Sequence, residues 1–179
     1  MGDLDKAIAC FQELGIKPKV DDFQSRLVMQ KTVCLLQLAG IKTGFDYGIY
    51  VRGAYSSQLA HALYDKKEEV ENFKTDAKLT GEEKEKLAEF KEIMQDMKPS
   101  ILEIAATFAY FAYGKKMPVR EATMLIKKMK PFYSESEFAI GINRAKELLF
   151  VPTEADMKLM KEEYMLWEPA MLETLRKSE

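Results

Sequence analysis

The chain has 179 residues, 47% of them hydrophobic and 31% charged, which sets it apart from disordered, fibrous and membrane-spanning chains. A chain of this length can build its core without disulfides or metal. Its 27 basic and 29 acidic residues give a formal net charge of -2, which excludes the strong overall attraction to phosphate shown by many nucleic-acid binders.

The opening Met1-Gly2-Asp3-Leu4-Asp5 is acidic and unlike a secretory leader, so a cytoplasmic location is expected. Asp3 to Leu14 then predicts a first helix, with Leu4, Ala7, Phe11 and Leu14 along one stripe and Gly15 and Pro18 as its stop. The second helix starts at Asp21 or Asp22, carries Phe23, Leu27, Val33, Cys34 and Leu38, and ends at Gly40. Cys10 and Cys34 are 24 positions apart, lack CxxC spacing and fall at apolar helix positions, so they read as reduced core residues.

Between Gly40 and Gly53 the pattern changes. Glycines punctuate alternating aromatic and β-branched residues, which predicts a loop with a short strand segment near 45–52. Ser56 or Ser57 caps the next helix, which runs through Leu59, Leu63 and Tyr64. His61, the single histidine, lies in the middle of that helix and reads as a surface or packed residue. Zinc, Ser-His-Asp and Cys-His chemistries would all have to converge on it, and no HExxH, EF-hand, GxGxxG or GxxxxGK[ST] spacing occurs. No cofactor, metal or catalytic residue is therefore assigned.

Residues 65–98 hold 11 acidic and 8 basic residues, yet Leu87, Phe90, Met94 and Met97 recur on one face behind a Thr80-to-Glu83 capping box. This predicts an amphipathic helix. Pro99 and Ser100 open another, Ile101 to Tyr113, apolar on nearly every side and interrupted by Glu103. It is too short to cross a bilayer core of about 30 Å and is expected at the centre of the fold. Val119 to Lys130 is a short basic helix ended by Pro131. Ser134 with Glu137 makes a second capping box, ahead of Phe138, Ile142, Ala145 and Leu149.

Thr153 and Asp156 start a C-terminal docking helix over 153–177, striped by Met157, Met160, Tyr164, Trp167 and Met171. The stripe at 157–171 covers either the same domain or a second copy in a homodimer. In sum, the sequence predicts an all-α or nearly all-α single helical domain over 1–179, with seven to eight helices around a central apolar one.

Two constellations are candidates for function. Around the loop glycines, Tyr50, Arg52, Tyr55 and Ser56 combine stacking area, directional donors and a helix N-terminus, and are expected to form one partly exposed binding surface. Further on, Lys115, Lys116, Arg120, Lys127, Lys128 and Lys130 form a basic patch able to attract phosphate or an acidic protein face. No aromatic residues interleave with these lysines, so a single-strand stacking groove is not expected there.

A family resemblance arises in the first of these regions. Arg26-Leu27-x-x-Gln30-Lys31-x-Val33-x-Leu35, followed by Tyr50-x-x-Gly53-Ala54-Tyr55-Ser56-x-x-Leu59-Ala60, resembles the QKxxY-like helix and YGPYS-like turn of YwgA-like proteins and, more distantly, the SocA or Panacea-type domain. Cys34 stands in the aromatic place of the first motif, and Ala54 replaces the proline of the second. Lys130-Pro131-x-Tyr133-Ser134-x-x-Glu137 and Asn143-Arg144-Ala145 are similar to the later half of archaeal members. Panacea-type domains are associated with toxin neutralisation, and the resemblance supplies no catalytic residues. It implies a non-enzymatic adaptor or regulator with a protein partner; no membrane association is expected, because the longest apolar run is too short to span a bilayer. The alternative is a nucleic-acid-binding transcriptional regulator that uses the basic segment 115–130.

Overall fold

The computed structural model describes residues 2–151 together with 154, 157, 158, 161 and 162. The chain divides into two units, Met1–Leu149 and Phe150–Glu179. The expected docking helix 153–177 and its stripe at 157–171 lie outside the described residues.

The first unit is mostly helical. Helix α1 (Leu4–Leu14) starts where the Asp3 carboxylate accepts from the Lys6 N–H, and α2 (Phe23–Leu38) where Asp22 accepts from Ser25. Two three-residue strands follow, β1 (Gly48–Tyr50) and β2 (Gly53–Tyr55), paired antiparallel with Gly48 opposite Tyr55 and Tyr50 opposite Gly53. The single extended segment expected near 45–52 is thus half of a hairpin. Its second strand begins at Gly53, whose φ of 83° lies in the left-handed region. A Cβ there would sit 2.0 Å from Thr107 Oγ1, so only glycine lets the turn rest on the central helix.

Ser56 caps α3 (Ser57–Asp65) by accepting from the Leu59 N–H. A short α4 (Lys67–Glu71), which no periodicity announced, precedes α5 (Gly81–Met94). The Thr80–Glu83 capping box closes in both directions, and Leu87, Phe90 and Met94 are buried as expected. Helix α6 runs Pro99–Ala109, and every residue from Ile101 to Ala109 is buried.

The helix expected over 101–113 does not continue as an α-helix. Tyr110–Gly114 form a π-helical turn in which the Lys115 N–H reaches back to the Tyr110 carbonyl. The remaining helices are α7 (Val119–Met129) and α8 (Glu135–Leu149), the latter opened by reciprocal bonds between Ser134 and Glu137.

Helix α6 is the core. It packs against α2, α7, α8, β2 and the π-helical turn. Its approach to α8 is set by Gly141, where a Cβ would meet Ile104 Cγ2 at 2.7 Å and the Ile101 carbonyl at 3.2 Å. Cys10 and Cys34 are free thiols buried in this core, as their apolar positions implied. No helix among the described residues is long and apolar enough to cross a membrane.

Candidate functional site

The glycine-aromatic loop is held by side chains of α2. Gln30 meets the Ser56 backbone at both ends: its Oε1 accepts from the Ser56 N–H at 3.0 Å and its Nε2 donates to the Ser56 carbonyl at 2.8 Å. Lys31 Nζ donates to the Ala54 carbonyl at 2.5 Å, and the Tyr47 hydroxyl donates to the Gln30 carbonyl at 3.1 Å. Two turns further on, Gln37 accepts from Thr43 and the Phe45 N–H and donates to the Phe45 carbonyl. The Gln-Lys pair and the aromatic-glycine turn that carry the sequence resemblance are therefore bonded to each other. Burying the Lys31 ammonium pulls its pKa down to about 8, against the opposing pull of the Glu103 carboxylate.

Beneath the hairpin lies a charge cluster that joins three elements. Glu103, fully buried in α6, accepts from Lys130 Nζ on Oε1 and from Arg52 Nε (2.9 Å) and Nη2 (2.8 Å) on Oε2. Arg52 Nη2 also lies 3.3 Å from the Tyr133 hydroxyl. The Tyr133 phenol is pushed above its usual value, first by burial and then by the Glu103 charge. The carboxylate thus has two cations, which is what a buried charge requires.

Outside the cluster the surface is aromatic. Phe23, Tyr50, Val51, Tyr64 and Phe132 are each at least 50% exposed. The Arg26 guanidinium lies 5.9 Å from the Phe23 ring centre and 5.5 Å from that of Tyr64. Arg52 lies 5.9 Å from Phe23 and 5.7 Å from Phe132, so Phe23 is shared by two cations. The Tyr50 and Tyr55 rings are 5.5 Å apart. Between α2, the hairpin and α3, Phe23, Tyr50, Val51, Tyr55, Tyr64 and the two arginines line a pocket of about 520 Å³, floored by Leu27, Ala60 and Leu63; Phe132 lies outside it, against Arg52.

Each expected residue can now be placed. Tyr50 stands exposed at the rim and Tyr55 is half-buried on the wall. Arg52 lines the pocket, but its charge is committed inward to Glu103. Ser56 is fully buried, so it belongs to the frame rather than the expected exposed surface: its hydroxyl caps α3 and its backbone is taken by Gln30.

The basic patch loses one member. Lys130 is 1% exposed and neutralises Glu103, because the end of α7 points its chain inward. Lys115, Lys116, Arg120 and Lys128 are exposed, and half-buried Lys127 pairs with Glu135. His61 is exposed. No group of three or more His, Cys, Asp or Glu side chains converges among the described residues.

Sequence reasoning missed Phe23, Arg26, Tyr64 and Phe132 as parts of a surface, and Glu103 as its anchor. The one signal for Glu103 was a lone charge in a run of thirteen otherwise uncharged residues, 101–113. A buried charge demands partners, but the sequence does not say which. No family model, curated protein or solved structure matches this chain.

Proposed function

We propose that the protein is a non-enzymatic adaptor or regulator that binds a partner protein through the face formed by α2, the hairpin and α3. The observation that carries this reading is the cluster of five exposed large apolar residues set around two arginines on a braced frame. Aromatic residues and arginine are the types enriched where protein partners dock, and bracing lowers the entropy lost on binding. The ionisable groups of the frame are spent on internal bonds: Glu103 on two cations, and Lys31 on a backbone carbonyl. That suits a binding surface better than acid–base work. The resemblance to YwgA-like and Panacea-type proteins agrees with an adaptor.

The test is a pulldown from native extract with and without nuclease, using the parent and the Tyr50→Ser/Val51→Ser variant. Both positions are exposed at the hairpin tip, so stability should change by less than about 1 kcal/mol. Nuclease-resistant capture of a defined protein by the parent, lost in the variant, is expected. A partner retained equally by both would move the docking face elsewhere.

The second reading, a nucleic-acid-binding regulator, is favoured by the exposure of Lys115, Lys116, Arg120 and Lys128. Capture that disappears on nuclease treatment would support it.

A further inference from the structure

The proposed docking face contains a well-defined pocket. Its pocket has an apolar floor of Leu27, Ala60 and Leu63 and aromatic walls. A volume of about 520 Å³ is within the range of roughly 300–1,000 Å³ typical of ligand sites. Among the described residues the charged side chains lining it are Arg26, Lys31 and Arg52, and none is acidic. Glu103 faces Arg52 from behind and is shared with Lys130, so the cluster as a whole keeps an excess of positive charge.

Donor capacity is also left over at the rim. Arg26 spends Nη1 on the Val20 carbonyl at 2.7 Å, and its Nε and Nη2 have no protein acceptor among the described residues. Arg52 spends Nε and Nη2 on Glu103 and Tyr133, leaving Nη1. A planar guanidinium held between aromatic rings with unused N–H groups is preorganised for a carboxylate.

The geometry points to a short acidic peptide of a partner protein as the occupant: one large apolar side chain fills the pocket between α2, the hairpin and α3, while a flanking carboxylate bonds Arg26 and Arg52 Nη1. This rests on the docking reading above and deepens it. A nucleic-acid strand fits less well. It needs a line of cations to follow its phosphates, whereas the two arginines here are confined to the pocket and Asp21 and Asp22 flank the start of α2.

The experiment titrates isotope-labelled protein with acetylated, amidated hexapeptides Gly-Glu-X-Glu-Glu-Gly, where X is Leu, Met, Phe or Trp, with their lysine-substituted counterparts, and with a twelve-nucleotide thymidine strand. Amide shifts of α2, the hairpin and α3 are followed by NMR. At least one acidic peptide should bind there, at least tenfold more tightly than its lysine counterpart. Arg26→Gln should weaken it at least fivefold, while Lys115→Gln leaves it unchanged. Tyr64→Ser, at an exposed position, provides a second variant with the same expected loss should Arg26→Gln unfold.

Equal affinity for acidic and basic peptides, shifts outside the pocket, or no binding by any peptide at millimolar concentration would overturn the assignment. So would binding of the thymidine strand in the pocket in preference to every peptide. Failure of the peptides alongside Tyr50- and Val51-dependent capture of a protein would remove the ligand class but keep the docking face. Failure of both would remove the face as well.

Discussion

Three buried ionisable side chains, Lys31, Cys10 and Cys34, are expected to shape how stability varies with alkaline pH. Lys31 holds its proton up to about pH 10.5 in the unfolded chain but only to about 8 in the folded one. Between those values the unfolded state carries the extra proton, so stability rises with pH at up to about 1.4 kcal/mol per unit. The thiols act in the opposite sense. Burial lifts Cys10 and Cys34 from 9.0 to about 12, so above pH 9 the folded state carries the extra protons and stability falls. Two thiols outweigh one lysine, so the melting temperature is expected to climb between about pH 7.5 and 9 and then decline. Lys31→Met should abolish the climb. Cys10→Ala with Cys34→Ala should extend it until the raised phenols of Tyr47 and Tyr133 begin to contribute above their usual value of 10.0. A parent profile that declines steadily from pH 8 would show that Lys31 keeps its charge when folded. Both thiols were readable as core from their helix positions. The depressed lysine was not, because its burial depends on a hairpin lid supplied 23 residues later.

At the level of elements, the Glu103 cluster ties the hairpin, α6 and the end of α7 together. Glu103→Gln leaves the Lys130 ammonium buried without a counter-charge and is expected to cost about 3–5 kcal/mol in urea unfolding. Replacing both partners with apolar residues, Glu103→Leu with Lys130→Met, should recover most of that loss, since neither buried charge remains. Arg52→Ala should cost less than Glu103→Gln, because Lys130 stays on the carboxylate and the Arg52 side chain is already 41% exposed. Equal losses from the two single variants would instead make Arg52 the dominant counter-charge. Local signals were legible here: both capping boxes formed because their partners lie three residues apart. The cluster was not, since it joins residues 52, 103 and 130 through tertiary packing, and Lys130 read naturally with its basic neighbours. The π-helical turn was equally silent, because moving a bond by one residue leaves no mark on hydrophobic spacing.

For the molecule as a whole, the reassignment of Lys130 limits what the basic segment can do. Four of its cations remain exposed and without a carboxylate partner among the described residues: Lys115, which lies over the Tyr110 ring, Lys116, Arg120 and Lys128. Any duplex DNA binding by this segment should show a logarithmic salt slope no steeper than about -3.6, that is, 0.9 for each phosphate neutralised. A steeper slope in a filter-binding series would require cations from another face. The mostly helical class followed from periodicity and the central position of α6 from a segment apolar on nearly every side, whereas the pocket arose only when α2, the hairpin and α3 were brought together. Gln30 and Lys31 grip only the backbone of the hairpin region, at Ser56 and Ala54. They impose no side-chain identity on the tip, and Ile49, Tyr50 and Val51 are all exposed there. The hairpin is therefore mounted by its backbone: substitutions at Ile49, Tyr50 and Val51 leave the α2 anchors, Gly53 and the Arg52–Glu103 pair in place to keep it in register.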